Sequence, residues 1–177
     1  MSIEISGLHE FAVSLQALKK TGVRRVVRNA ASAGGTVILK AIRRHARARD
    51  KSDSGALGKS IIRVARTKRS TGVTSVYIGP SKAYEITDQV KDRRKGRRGK
   101  MRAVKRKPRR YAHLLEFGAK PHEIRVVLKS GKTVTFQHPG NPPEPFVRPG
   151  FDEAKAEAIE VFRQKVREGI EKELRKT

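Results

Sequence analysis

The sequence predicts an α+β subunit with long N-terminal helices, a small mostly antiparallel sheet and a long C-terminal amphipathic helix. Three observations predict it. Apolar residues recur with helical period near both ends of the chain. Between them, short runs rich in Val, Ile and Thr surround glycine-containing turns. The resulting order is helix, long helix, strands, helix, hairpin, long helix, which is an α+β arrangement.

Residues 7–20, GLHEFAVSLQALKK, place Leu8, Phe11, Leu15 and Leu18 on one helical face, with Ser6 as cap and Gly22 as terminator. A second helix is expected over about 23–49. Val23, Val26, Val27, Ala30, Val37, Ile38, Ala41 and Ile42 form its buried stripe, and its arginines point elsewhere. Gly34 and Gly35 inside it each cost about 1 kcal/mol relative to alanine, which implies a close helix contact or a kink. Ile62, Val64, Val73, Val76 and Ile78 fit a pair of strands around the turn TKRSTG. YAHLLEFGAK, residues 111–120, reads as a short helix stopped by Gly118. HEIRVVLKSGKTVTFQH reads as two strands around KSGK. PGNPPEPFVRPG is a proline-rich linker, excluded from helix and central strand. The last helix, about 149–175, carries Phe151, Ala154, Ala158, Phe162, Val166, Ile170 and Leu174 as its stripe. Pro149 suits its first turn, and Asp152 and Glu153 favour its N-terminal dipole. Leu57, Ile61, Tyr111, Phe117, Phe146 and Phe151 are the expected core.

Composition narrows the function. The 177 residues include 42 Lys or Arg against 17 Asp or Glu, a formal charge of +25. Such a charge demands polyanionic surroundings or acid from neighbouring subunits. Hydrophobic residues make up 36% and aromatics 5%, lean for a self-sufficient core, so part of the stability is expected from assembly. With no cysteine there is no disulfide and no Cys-based zinc site. No apolar run approaches the ~18 residues of a membrane span, and the N-terminal stretch lacks the apolar run of a signal peptide. A soluble protein made inside the cell, with no membrane partner, is expected.

The charge peaks in KDRRKGRRGKMRAVKRKPRR, residues 91–110, with thirteen Lys or Arg and one Asp. Like charges at this density repel, and Gly96, Gly99 and Pro108 interrupt regular structure. A flexible basic loop at about 89–110 is therefore expected within a single domain spanning 1–177. Its contacts to DNA or to an acidic partner would come from Arg93, Arg94, Lys95, Arg97, Arg98, Lys100, Arg102, Lys105, Arg106, Lys107, Arg109 and Arg110. Lys and Arg bind phosphates with counterion release and no base preference. Few aromatics interleave with them, so stacking on single strands is unsupported.

Catalytic and cofactor motifs do not hold up. DSGALGKS, residues 53–60, imitates a phosphate loop, but Asp53 replaces the first glycine and a basic helical stretch, not a buried strand, precedes it. A turn of helix capped by Asp53 or Ser54, with Lys59 solvated, explains it better. His113, Glu116 and His122 lack the two-His spacing of a zinc helix. Glu116 fits a bond to the following backbone or to a basic neighbour. No G-x-S-x-G elbow and no suggestive carboxylate pair occurs, so no enzyme, no metal and no cofactor is expected.

Three stretches in order carry a family resemblance. They are Gly55-Ala56-Leu57-Gly58-Lys59-Ser60-Ile61, Tyr111-Ala112-His113-Leu114-Leu115-Glu116-Phe117-Gly118, and Pro145-Phe146-Val147-Arg148-Pro149. In this order the chain resembles the neck proteins of long-tailed bacteriophages. These are the gene-product-ten-like, head–tail joining or tail-completion proteins of lambdoid phages, also described as minor tail protein Z-like. The resemblance implies a virion structural protein, made in the host cytoplasm and assembled into the neck as a homo-oligomeric ring. Its neighbours would be head-closure or adaptor proteins and tail-terminator or tail-tube proteins. Non-specific contact with phage DNA is a further expectation, drawn from the basic loop. The resemblance makes Gly55, Leu57, Ser60, Ile61, Tyr111, Ala112, Glu116, Phe117, Gly118, Pro145, Phe146, Arg148 and Pro149 structural motif residues. Glu116 and Arg148 are candidates for an ion pair fixing the C-terminal helix. The alternative function is a sequence-independent basic nucleic-acid-binding protein.

Overall fold

The computed structural model describes residues 20–50, 55–91, 101–128 and 130–175. The helix expected over 7–20 falls outside them except for Lys20. In chain order the elements are α1 (Lys20–Arg49), α2 (Ala56–Ser60), β1 (Ile61–Thr67), β2 (Thr74–Pro80), β3 (Ile86–Lys91) and β4 (Met101–Arg106). A 3-10 turn (Pro108–Arg110), α3 (Ala112–Phe117), β5 (His122–Val127), β6 (Thr133–His138) and α4 (Val147–Leu174) follow. The strands pair as β1–β2, β3–β4 and β5–β6, so the α+β fold distributes its small sheet over three two-stranded ladders.

The chain divides into two compact units. The first joins the described part of α1 up to Leu39 to Arg63–Ile78 and to the chain from Ala154 onward. Small residues set its helix contact. Ala30 is fully buried, as nearly are Val26, Ala154 and Ala158. A Cβ on Gly34 would lie 2.7 Å from the Ala158 carbonyl oxygen, and one on Gly169 would lie 2.6 Å from Val26 Cγ1. Gly35 faces the β1–β2 hairpin, where an added Cβ would stand 2.7 Å from Val76 Cγ1 and 3.0 Å from Arg63 Cδ. The glycine pair therefore serves two close contacts, and α1 continues through it. Gly22 is a correction: it lies buried inside α1, against Glu173, and terminates no helix.

The second unit comprises Lys40–Ile62 and Gly79–Glu153. Its core is Ile42, Ala46, Ala56, Leu57, Ile61, Ala112 and Phe146, with Pro108 and Ser60 also buried. Gly150 lets α4 approach α1, because a Cβ there would stand 2.7 Å from Ile42 Cα. Two expected core aromatics are corrected: Phe117 is 71% and Phe151 48% exposed. In α3 the buried position is Ala112, and five residues on, at 3.6 per turn, Phe117 points about 140° away. In α4, Gly150 carries the approach to α1, and Phe151 lies about 100° round from it. Tyr111 is half-buried.

The stretch expected as a flexible basic loop is also corrected in part. Residues 101–106 form β4, which pairs with β3 from Ile86↔Arg106 to Lys91↔Met101. Charge was the stronger signal in the sequence, but Ile86, Thr87, Val90 and Val104 supply strand-forming residues. Glu85 at the base offsets part of the charge, 3.3 Å from Lys105 and 2.8 Å from Lys107. The last helix begins at Val147, inside the proline-rich stretch, and Pro149 occupies its first turn, where a missing N–H costs little. Asp152 and Glu153 lie beyond that turn, which contains no acid of its own.

Candidate functional site

The three motif stretches all belong to the second unit. Gly55 stands in the left-handed region with φ 57°, turning the chain into α2. Asp50 supplies the cap expected from Asp53 or Ser54, both outside the described residues: its Oδ2 accepts from the Leu57 N–H at 2.8 Å. Leu57, Ser60 and Ile61 are fully buried, and the Ser60 hydroxyl donates to the Leu57 carbonyl at 2.7 Å. The Arg43 guanidinium donates twice to the Ile61 carbonyl, at 3.0 and 2.7 Å. Gly58 packs against Arg47 and the Arg43 carbonyl. Lys59 is exposed. The elbow joins α1 to β1 and leaves its lysine in solvent, as the structural reading of DSGALGKS requires.

Glu116 joins the second and third stretches. Its Oε2 accepts from the Phe146 N–H at 2.8 Å and the Val147 N–H at 2.9 Å, and its Oε1 accepts from the Arg148 N–H at 3.2 Å. The contact to Arg148 is thus through the backbone, which corrects the expected ion pair. The physical reason lies in the helix end. The first turn of α4 has N–H groups without intrahelical partners, and a carboxylate placed there satisfies both donors and dipole. Around this link the Glu144 N–H donates to the Leu115 carbonyl at 2.7 Å. Gly118, at φ 74°, ends α3 close under the Asn141 carbonyl. Ala119 and Asn141 exchange two backbone hydrogen bonds of 2.9 Å. Pro145 and Pro149 are half-buried beside the buried Phe146, and the Arg148 residue is exposed.

Of the twelve basic residues expected to make contacts in the 89–110 stretch, six are among the described residues. Arg93, Arg94, Lys95, Arg97, Arg98 and Lys100 lie outside them. Arg102, Lys105 and Arg106 belong to β4, and Arg109 and Arg110 are exposed in the 3-10 turn after Lys107. Lys105 and Lys107 both bind Glu85, and their hydrogen bonds hold its carboxyl below the usual glutamate range. Glu116 is committed to backbone donors, His113 is exposed, and the His122 ring stacks on His138 with centroids 5.1 Å apart. Among the described residues no group of three or more His, Asp or Glu is placed to hold a metal ion. No described helix is long and apolar enough to cross a membrane.

The β5–β6 hairpin is the surface that motif reasoning passed over. Its register sets Ile124 opposite Phe136 and Val126 opposite Val134, which puts these four on one face. The other face carries Arg125 opposite Thr135 and Glu123 opposite Gln137, with the exposed Val127 opposite Thr133 at its far end. The apolar face is open: Val126 is 41%, Val134 39% and Phe136 48% exposed, and Leu128 beyond the strand is 45% exposed. The alternation E-I-R-V and T-V-T-F was the available signal, but alternation alone does not tell which face is covered.

Neither a curated protein nor a solved structure matches this chain. A family model does, over residues 9–118, which is more than half of the 177 residues and includes the first two motif stretches. With the α1–α2 elbow and the helix that carries Glu116 both inside that span, the chain belongs to the HK97-gp10-like family of bacteriophage tail components.

Proposed function

We propose that this chain is a structural subunit of the virion neck, acting in head–tail joining or tail completion by assembling into a ring of its own copies. It binds and turns nothing over. The carrying observation is the open apolar face of β5–β6 on a member of a tail-component family. A two-stranded ladder is marginally stable in water by itself, and an antiparallel ladder normally packs one face on a core. Here the face with Val126, Val134 and Phe136 has that character and stays exposed. Coverage by the next subunit supplies what the hairpin lacks. The neighbours in the virion would be a head-closure or adaptor protein on one side and a tail-terminator or tail-tube protein on the other. Synthesis takes place in the host cytoplasm.

Quantitative mass spectrometry of density-purified phage, after a high-salt wash, tests this reading. The expected result is a few copies of the chain per particle, and unjoined heads and tails when Val126→Asp and Phe136→Asp are introduced together. Complete infectious particles without the chain would refute the joining role. Normal incorporation of the double variant would refute the hairpin as the docking face.

A further inference from the structure

We propose that the first unit carries a phosphate-binding groove for duplex DNA, built from residues other than those of the basic stretch at 89–110. Arg24, Arg25 and Arg28 of α1 and Arg66 and Arg69 of β1 and its turn line one concavity of about 700 Å³, together with Asn29. Among the described residues no carboxylate lines it. Like charges four residues apart on a helix, such as Arg24 and Arg28, repel one another.

The fold offsets only part of this charge. Arg25 pairs with Glu173 at 2.6 Å, the Arg24 guanidinium donates to the Arg69 carbonyl at 3.1 Å, and Arg66 lies over the Tyr77 ring, 5.9 Å from its centroid. Among the described residues neither Arg28 nor the Arg69 guanidinium has a carboxylate partner. A ligand bearing regularly spaced anions completes the site, and guanidinium forks match phosphate oxygens two at a time.

The lining favours nucleic acid over an acidic protein. Arginine anchors protein interfaces too, but in desolvated pockets packed by other side chains, whereas among the described lining residues Ala65 is the only apolar one beside the five arginines. It also favours a duplex, since among the described residues no aromatic ring lines the groove for bases to stack on. Contact is with the backbone and carries no base preference.

Fluorescence anisotropy of a labelled 20-bp duplex against the full-length chain, from about 50 to 200 mM KCl, tests the groove. Each lost phosphate contact lowers the log–log salt slope by about 0.9, so Arg28→Gln, Arg66→Gln and Arg69→Gln together should lower it by about 2.7. Affinity at the middle of that range should fall about tenfold or more. An unchanged slope overturns the proposal. So does a triple variant that keeps its DNA affinity but loses binding to poly-glutamate, since the ligand is then an acidic protein. A measurement on the wild-type chain guards against misfolding of the variant: duplex DNA should protect Arg28, Arg66 and Arg69 from phenylglyoxal, read by peptide mass spectrometry. Equal modification with and without DNA overturns the proposal even if the variant unfolds. Neither result touches the joining role, which the particle experiment decides separately.

Discussion

Two hairpins of nearly equal strand length meet different fates in this chain. In the first unit, β1–β2 is seated along its face. Val76 and Arg63 lie against Gly35 of α1, and the Arg63 guanidinium donates to the Ser32 carbonyl and hydroxyl. In the second unit, β5–β6 is held at its base. The paired backbone bonds of Ala119 and Asn141, the His122–His138 stack and the Glu116 cap gather at its two ends, while its apolar face stays open. Strand pairing specifies a ladder, and backing decides whether the ladder serves the subunit or a neighbour.

The largest effect on this contrast should come from the seat of β1–β2. Gly35→Val drives two methyl groups into Val76 and the Arg63 stem, an overpacking expected to cost about 3 kcal/mol in urea unfolding. The base of β5–β6 should come next. Glu116→Ala removes acceptors from three backbone donors and should cost about 2 kcal/mol by the same measurement. Glu116→Gln should cost less, because the amide oxygen still accepts. Truncation within the ladders sharpens the comparison directly. Val76→Ala should cost about 1 kcal/mol of subunit stability, and Val126→Ala should stay within about 0.5 kcal/mol while weakening self-association in sedimentation. Equal costs at the two sites would mean that the hairpins are not differently backed.

The smallest effect concerns β3–β4, a ladder with a charged base. Hydrogen bonds from Lys107 and then Lys105 lower the Glu85 carboxyl in the folded chain. Its contribution to stability is therefore present above the ordinary glutamate range and is lost as pH falls through the lowered folded value. Glu85→Gln should flatten the drop in melting temperature across that acidic window and change little above neutrality. The group is open to water, so the change should be slight.

Much of this architecture was legible in the residues. Helical period located α1 and α4, and glycine-containing turns located β1–β2 and β5–β6, because both signals are local. The elbow at Gly55–Ile61 was readable for the same reason: Leu57 and Ile61 are spaced to fall inward, and Lys59 is not. What escaped was set by distant partners or masked by charge. Glu116 and Phe146 are thirty positions apart, and nothing in either segment shows that a carboxylate on one will open the helix of the other. Strand β4 was hidden because its basic residues outweigh Val104 and Met101 in any local count, while its partner strand lies across the most charged part of the chain. The arginines of the groove were read as the outward side of a helix. Only the return of β1 beside α1 brings Arg66 and Arg69 to them.

The Glu116 link also gives the molecule a built-in reporter. Three amides that open a 28-residue helix all end on one carboxylate carried by α3. Their deuterium exchange therefore records whether α3 is in place, while the middle of α4, bonded within itself, does not register the change. A neighbour that drew Glu116 toward its own cations would set those three amides free and loosen the opening turn without touching it. In an assembling particle, that turn would be where engagement of the 111–118 segment first becomes visible at the far end of the sequence.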